Sequence, residues 1–431
     1  MESSQAILLL GVMIIGGHLL GVLFRKTLIP DVLWIMLIGL ALGPIGAGYL
    51  DPSDFGKLGP ILSSIALVVL LYDGGSHLNF KDIASALGSV LGVTLVTLVC
   101  SLGVVFSLVY AVTLDIPSSI VAAATLSATS AVVVVPFVKG LPIEQKTKNL
   151  LLAEAVIADI LCIVITFTVF ETFTSGHFDP QHALKFLSSA LVGAVVLGVS
   201  GAVLWAILMV KYSSLITDLS LTLGTLFVIF GICELFHWSG PLAALCFGFV
   251  LNNRSKIPFL YEKLKVSYQD EFDQQMFQRT SNAILEEAIF MLKLFFFLFL
   301  GMQLKINDPQ VIALSFCIVL GVYFLRLIVT RTVLSRKFFQ FDAGVISLMV
   351  PKGLVSAVLA TQAVQYLPKE HGVWVEELVF AVIFWTILLS SVVVPLLQTD
   401  MGQSVISRLF STFAVPEPVA DQSGFSKEGD S

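Results

Sequence analysis

Charge is what this sequence has least of. Asp, Glu, Lys and Arg make up 13% of its 431 residues, roughly half the share of an ordinary soluble domain. With 57% hydrophobic residues and a mean hydropathy of +0.94, the chain cannot clothe itself in a wettable surface, so lipid must be its solvent. Cysteine pairing is missing too. Cys100, Cys162, Cys233, Cys246 and Cys317 all lie in apolar runs and none forms a CxxC, so they read as thiols that pack like small hydrophobes. No GxGxxG follows a strand and no P-loop occurs, which leaves the chain without a nucleotide-binding domain and predicts no cofactor and no nucleic-acid partner. No HExxH and no GxGD-like aspartate pair marks an intramembrane enzyme. The N-terminus, MESSQAILLL, has neither a basic segment nor a cleavage site, and residues 5–24 read as a retained span rather than a signal peptide.

What is present is apolar sequence in runs of about 20 residues without alternation, the length of a bilayer-crossing helix. In lipid every backbone polar group needs an internal partner, so these runs must be helices. Reading them between polar breaks predicts an all-α polytopic membrane protein of about 13 transmembrane helices: 5–24, 31–50, 59–79, 85–111, 118–138, 148–171, 183–210, 214–236, 239–252, 285–304, 309–330, 341–366 and 373–398. The basic residues test the count. With the N-terminus outside, seventeen of the 24 lysines and arginines face inward and four outward, and Lys293, Arg326 and Lys352 fall within spans. That asymmetry follows the positive-inside rule, with the C-terminus cytoplasmic in an inner (cell) membrane. Residues 253–284, including KLKVSYQDEFDQQMFQR, read as a cytoplasmic amphipathic loop, and 399–431 as a disordered cytoplasmic tail after a transmembrane domain over 1–398.

Two spans are broken in corresponding places. The fifth holds ATLSATSAVVVVPF with Pro136, and the twelfth holds VPKGLVSAVLA with Pro351 and Gly353. Paired interruptions in two halves point to a transporter built of two inverted six-helix repeats, here about 5–171 and 214–398, whose broken helices cross at an ion site. Proline removes a backbone donor and frees carbonyls and half-helix ends to face an ion.

Ionisable side chains inside spans are costly and therefore functional candidates. They are Asp73, Glu154, Asp159, Lys293, Arg326 and Lys352. Asp159 lies about eleven residues into its span, which at about 1.5 Å per residue is near the midplane. Glu154 and Asp159 are five apart and point about 140° away from each other, so they need different partners. Arg326 is the best partner for Glu154, because a guanidinium stays charged and grips a carboxylate with two bonds. Asp159 is left to be neutralised by something exchangeable, a proton or a small monovalent cation but not both, which is an antiport mechanism in miniature. Lys352 is available for charge compensation. Lys293 can snorkel, His18 reads as a packed polar residue, and Asp73 sits at the end of its span beside two glycines.

These segments resemble the monovalent cation:proton antiporter superfamily, in its NhaP-like sodium/proton exchanger branch. LLAEAVIAD at 151–159 is similar to the family's ESxxND motif, SATSAVVVVP to its broken T-D/S helix, YDGGSHL to its F-E-G-G segment, FFFLFLGMQL to FFFxxxG, FLRLIVTR to ARxxxV, and VPKGLVSAVLA to LRGxVxxxLA. The six matches run in order over residues 60–365. The resemblance implies a dimer subdomain and a six-helix core subdomain, and hence a homodimer. It also implies Asp159 as the exchange carboxylate, Thr129 supplying backbone near the ion, Asp73 as an auxiliary acidic ligand, and a Glu154–Arg326 pair. The departures are Ala155 for the family's Ser, Ala158 for its Asn, and Ser130 where an acid often follows the threonine. The site is then poor in oxygen ligands, which leaves sodium and potassium both open. With no acid at 158, exchange of one cation for one proton is expected to be electroneutral. A gated cation channel and a sodium-coupled organic-anion symporter on the same fold remain the alternatives.

Overall fold

A computed structural model of the chain describes residues 11–12, 14–19, 31–55, 58–76, 80–175, 180–211, 219–236, 238–253, 271–304 and 308–414. It is all-helical apart from turns and one isolated bridge between Phe339 and Ala414. Among the described residues, 14–19 are helical, and fifteen further α-helices follow in order, with one short 3-10 turn at Pro52–Phe55. They are α1 (Asp31–Leu42), α2 (Leu58–Ser76), α3 (Phe80–Thr113), α4 (Ile116–Thr125), α5 (Ala131–Gly140), α6 (Gln145–Ser175), α7 (Pro180–Lys211) and α8 (Leu219–Leu235). Then come α9 (Gly240–Asn252), α10 (Glu271–Gln303), α11 (Pro309–Val333), α12 (Gln340–Leu348), α13 (Leu354–Tyr366), α14 (Lys369–Leu396) and α15 (Asp400–Leu409). Among the described residues, five helices are long and apolar enough to cross a membrane, and shorter apolar helices accompany them.

Helix starts follow local chemistry. Asp115 caps α4 by accepting from the Ser118 amide at 3.0 Å, with Pro117 in the first turn. Asp308 caps α11 and Ser239 caps α9, again with a proline directly inside. Proline fits there because its missing N–H is an orphan at a helix start.

Two groups of helices emerge from the packing. α3, α4, α5, α6, α11, α12, α13 and α14 pack on one another, and α7, α8 and α9 gather against α2 around a separate apolar cluster with Phe247 and Leu226 fully buried. Two crossings beside this arrangement depend on glycine. A Cβ on Gly39 of α1 would lie 2.2 Å from the Leu298 carbonyl of α10, and one on Gly301 of α10 would lie 2.2 Å from the Met36 carbonyl of α1. α2 and α9 repeat the device: Gly75 meets the Leu245 carbonyl and Gly248 the Tyr72 carbonyl, both at 2.2 Å. Small residues allow this approach, and close backbone contact substitutes for the hydrophobic drive that lipid does not supply.

The structure corrects three expectations. The tail begins later than residue 399: α15 is helical over Asp400–Leu409, with Ile406, Phe410 and Phe413 buried against α12 and its approach. Its apolar side supplies the reason, since Ile406 fills the space over Gly344. Residues 415–431 lie outside the described residues. The stretch 253–284, expected between spans as a separate amphipathic helix, is helical over 271–284 but not separate, since that part opens α10 and continues into the apolar run as one 33-residue helix; 254–270 lies outside the described residues. The run 31–50 is helical only to Leu42, after which Gly43–Gly48 turns the chain.

Candidate functional site

Both broken spans are interrupted at full burial. The first break is Leu126–Ser130, between α4 and α5, and every residue in it is buried. It precedes Pro136, which lies inside α5. The cause is the small polar sequence itself. The Ser127 hydroxyl turns back to the Ala124 carbonyl at 2.8 Å, and such side chains offer the backbone an alternative to the helical ladder. The second break, Met349–Gly353, coincides with Pro351 and Gly353.

The breaks touch each other. The Ser130 amide donates to the Pro351 carbonyl at 2.8 Å. A Cβ on Gly353 would fall 2.3 Å from Ser130 Oγ, so only glycine lets the two strands of chain approach this closely. Lys352 is 1% exposed, and its Nζ lies 3.5 Å from the Ser127 carbonyl. The ammonium thus sits at the C-terminal end of α4, where helix carbonyls concentrate negative potential.

Asp159, 2% exposed on α6, lies at the opposite pole. Its Oδ2 accepts from the Ala131 amide, the first of α5, at 3.3 Å. Ser130, the N-cap, makes no side-chain cap bond, so Asp159 takes the anion position that a helix N-terminus offers. Asp159 Oδ1 and Ser130 Oγ are both buried without a hydrogen-bond partner among the described residues. Buried oxygens in that state need an explanation. Two acceptors beside the break are what a partly dehydrated cation, or a proton and a water, would satisfy.

Glu154, five residues earlier, is engaged elsewhere. Its Oε1 accepts from Arg326 Nη1, and its Oε2 accepts from Arg326 Nη2 at 2.5 Å, with both residues buried. Arg326 also donates through Nη1 to Thr97 Oγ1 at 2.7 Å and through Nε to the Ile346 carbonyl at 3.1 Å. It therefore caps the last turn of α12, the half-helix that leads into the second break.

The other sequence candidates are less central. Thr129 is buried inside the first break. Asp73 is half-buried near the end of α2, its carbonyl accepting from Ser76 Oγ at 2.7 Å. Lys293 is half-buried on α10, with its ammonium 6.0 Å from the Phe290 ring centre. His18 is half-exposed with Nε2 3.4 Å from a Glu287 carboxylate oxygen.

Three participants carried no signal in the sequence. Ala131 acts through its amide. Cys162, three residues beyond Asp159, directs its thiol at the Ala124 and Thr125 carbonyls, at 3.3 and 3.5 Å, where α4 ends. Thr386 of α14 accepts from the Lys352 amide at 3.1 Å. A cavity of about 200 Å³ between α6, α13 and the α7–α9 group includes Ile163, Phe167, Glu171, Glu234 and Gln362 in its wall. Ile163 lies one turn beyond Asp159.

Comparison with known proteins accords with this arrangement. Residues 10–399 match the family described as sodium/hydrogen exchanger, transmembrane. The chain is 26% identical over 267 residues to sodium/hydrogen exchanger 7 of Arabidopsis thaliana, covering 57% of this chain and 22% of that protein. It is 27% identical over 206 residues to Na(+)/H(+) antiporter 1 of Methanocaldococcus jannaschii, covering 46% of each, and 25% identical over 258 residues to Na(+)/H(+) antiporter NhaH of Halobacillus aidingensis, covering 57% of this chain and 63% of that one. These alignments thus span less than two thirds of each relative. The fold matches the solved sodium proton antiporter MjNhaP1 of Methanocaldococcus jannaschii with a TM-score of 0.71 at 19% identity, over 95% of this chain and all of that one.

Proposed function

The chain belongs to the sodium/hydrogen exchanger family, and on that footing we propose that it is a secondary transporter exchanging a monovalent cation, sodium or potassium, for protons at Asp159. One observation carries this: a buried carboxylate oxygen and a buried serine hydroxyl, Asp159 Oδ1 and Ser130 Oγ, stand without partners among the described residues where two broken helices meet. The α5 N-terminus steadies the carboxylate, Lys352 at the end of α4 is available for charge compensation, and Glu154 is held by Arg326 and does not compete. Asp159 is then neutralised by a cation or by a proton in alternation. Thr129 and Ser130 add oxygen near the ion, and Asp73 is an auxiliary acid on the neighbouring helix.

We also propose 13 spans in two inverted repeats, N-terminus out and C-terminus cytoplasmic, assembled as a homodimer in the cell membrane. The glycine crossings support the repeats. α1 and α2 are the second and third spans of the first half, and α9 and α10 of the second. α1 packs on α10 and α2 on α9, pairings that interchange when the halves are swapped. The basic-residue asymmetry supports the orientation, and the family resemblance supports the dimer. Exchange is electroneutral, since Ala158 is where a second acid would stand and each half-cycle then carries one unit of charge on one carboxylate.

Proteoliposomes loaded with a pH dye and challenged in turn with sodium, potassium, lithium and an organic cation test this. Proton flux driven by sodium or potassium, and unaltered by an imposed membrane potential, is the expected result. Cation permeation without proton flux contradicts exchange, and a voltage-dependent rate contradicts one-for-one stoichiometry.

A further inference from the structure

The Pro351 carbonyl and the Lys352 amide belong to one peptide group. Its carbonyl accepts from Ser130 in the first break at 2.8 Å, and its N–H donates to Thr386 Oγ1 on α14 at 3.1 Å. Carbonyl and N–H point to opposite sides of a planar trans peptide. A single plane is therefore pinned between the two breaks on one side and an unbroken helix on the other.

Thr386 is fully buried and its hydroxyl works in both directions: Oγ1 donates to the Ile383 carbonyl at 2.9 Å while accepting from the Lys352 amide. The helix that carries it is anchored by Tyr323 of α11, whose hydroxyl lies 2.6 Å from Ser390 Oγ and donates to the Thr386 carbonyl at 3.3 Å. Tyr323 is one turn before Arg326. The α14 face is therefore a fixed wall behind a stretch of chain that has no helical ladder of its own.

We propose that Thr386 is a positioning residue that sets the orientation of the Pro351–Lys352 peptide and, through it, the cation affinity of the site. Without an acceptor at this point the buried Lys352 N–H is orphaned. The plane then turns to find another partner, and the Pro351 carbonyl leaves Ser130. Ser130 and Ala131 move with it, and with them the amide that holds Asp159. Thr386 touches neither cation nor proton, so its effect is on binding geometry rather than on the identity of the carrier. This extends the proposed exchange at Asp159 and rests on it for its transport readout.

The test compares Thr386→Val, which keeps the shape and deletes the acceptor, with Thr386→Ser, which restores it. Tyr323→Phe loosens the same helix without touching the Lys352 amide, and Thr386→Ala stands in for the valine if that variant does not accumulate. We expect Thr386→Val to raise the apparent KM for the cation about tenfold, the scale of one lost buried hydrogen bond, with the maximal rate little changed. Thr386→Ser and Tyr323→Phe keep the wild-type KM. Hydrogen exchange at the Lys352 amide speeds up in the valine or alanine variant and not in the other two. A Thr386→Val protein with wild-type KM and wild-type exchange at Lys352 overturns the proposal, as does a Tyr323→Phe protein as impaired as the valine. If the wild type itself gives no cation-driven proton flux, the transport reading fails, and amide exchange alone decides the role of Thr386.

Discussion

Arg326 grips Glu154 with both terminal nitrogens while its Nε donates to the Ile346 carbonyl 3.1 Å away. One buried side chain thus neutralises an acid and closes the end of a half-helix. Removing either partner strands a buried charge, which costs about 3–5 kcal/mol. Glu154→Gln and Arg326→Ala are therefore expected to lower the melting temperature in detergent strongly. Arg326→Lys should not rescue, because one ammonium cannot replace a two-bonded fork and an Nε donor. Wild-type melting in these variants contradicts the assignment.

Gly353 admits no side chain. An added Cβ would fall 2.3 Å from Ser130 Oγ and 2.7 Å from Ser130 Cβ, an overpacking of the kind that costs about 1–3 kcal/mol. Gly353→Ala is expected to abolish most cation-driven proton flux, because the added methyl displaces Ser130 from the Pro351 carbonyl. A variant that transports normally means the breaks do not need to touch.

Asp115 gives a pH signature at the start of α4. Burial pushes its carboxyl up, but the Ser118 hydroxyl and amide and the His371 ring outweigh that and hold it below the ordinary value of 3.8. A lowered folded value means the contribution is present above the ordinary carboxylate range and is lost as pH falls through the folded value. Asp115→Ala should cost about 1 kcal/mol as a lost helix cap. The stability gap between wild type and variant should be full at neutral pH and shrink only under strong acid. A gap already gone at mildly acid pH would be the contrary result.

Phe410 is 1% exposed where the chain after α15 returns to the Phe338 region. Truncating such a ring costs about 3–5 kcal/mol. Phe410→Ala is thus expected to lower the melting temperature clearly, and a wild-type melting temperature in that variant would contradict this packing.

The helices were legible because lipid leaves few options: apolar runs must be helical, and their lengths mark them. Asp159, Glu154, Arg326 and Lys352 were legible for the same reason, since a charge inside such a run stands out. The positions of the breaks were only half legible. Pro351 and Gly353 mark the second, but Pro136 lies within α5, and the first break comes from Ser127 and its small neighbours. The contributions of Ala131, Thr386 and Cys162 were not legible at all. A backbone amide leaves no mark on a side-chain pattern. A hydroxyl or thiol inside an apolar helix looks like filler until the chain it faces is known.

The central claim is that Asp159 alone carries the exchanged charge. Asp159→Asn keeps the size of the side chain and removes its charge. The decisive measurement is cation-driven proton flux of this variant in proteoliposomes, beside its melting temperature and oligomeric state. We predict a protein as stable as the wild type with flux at background. Substantial cation-dependent proton flux in folded Asp159→Asn would contradict the account.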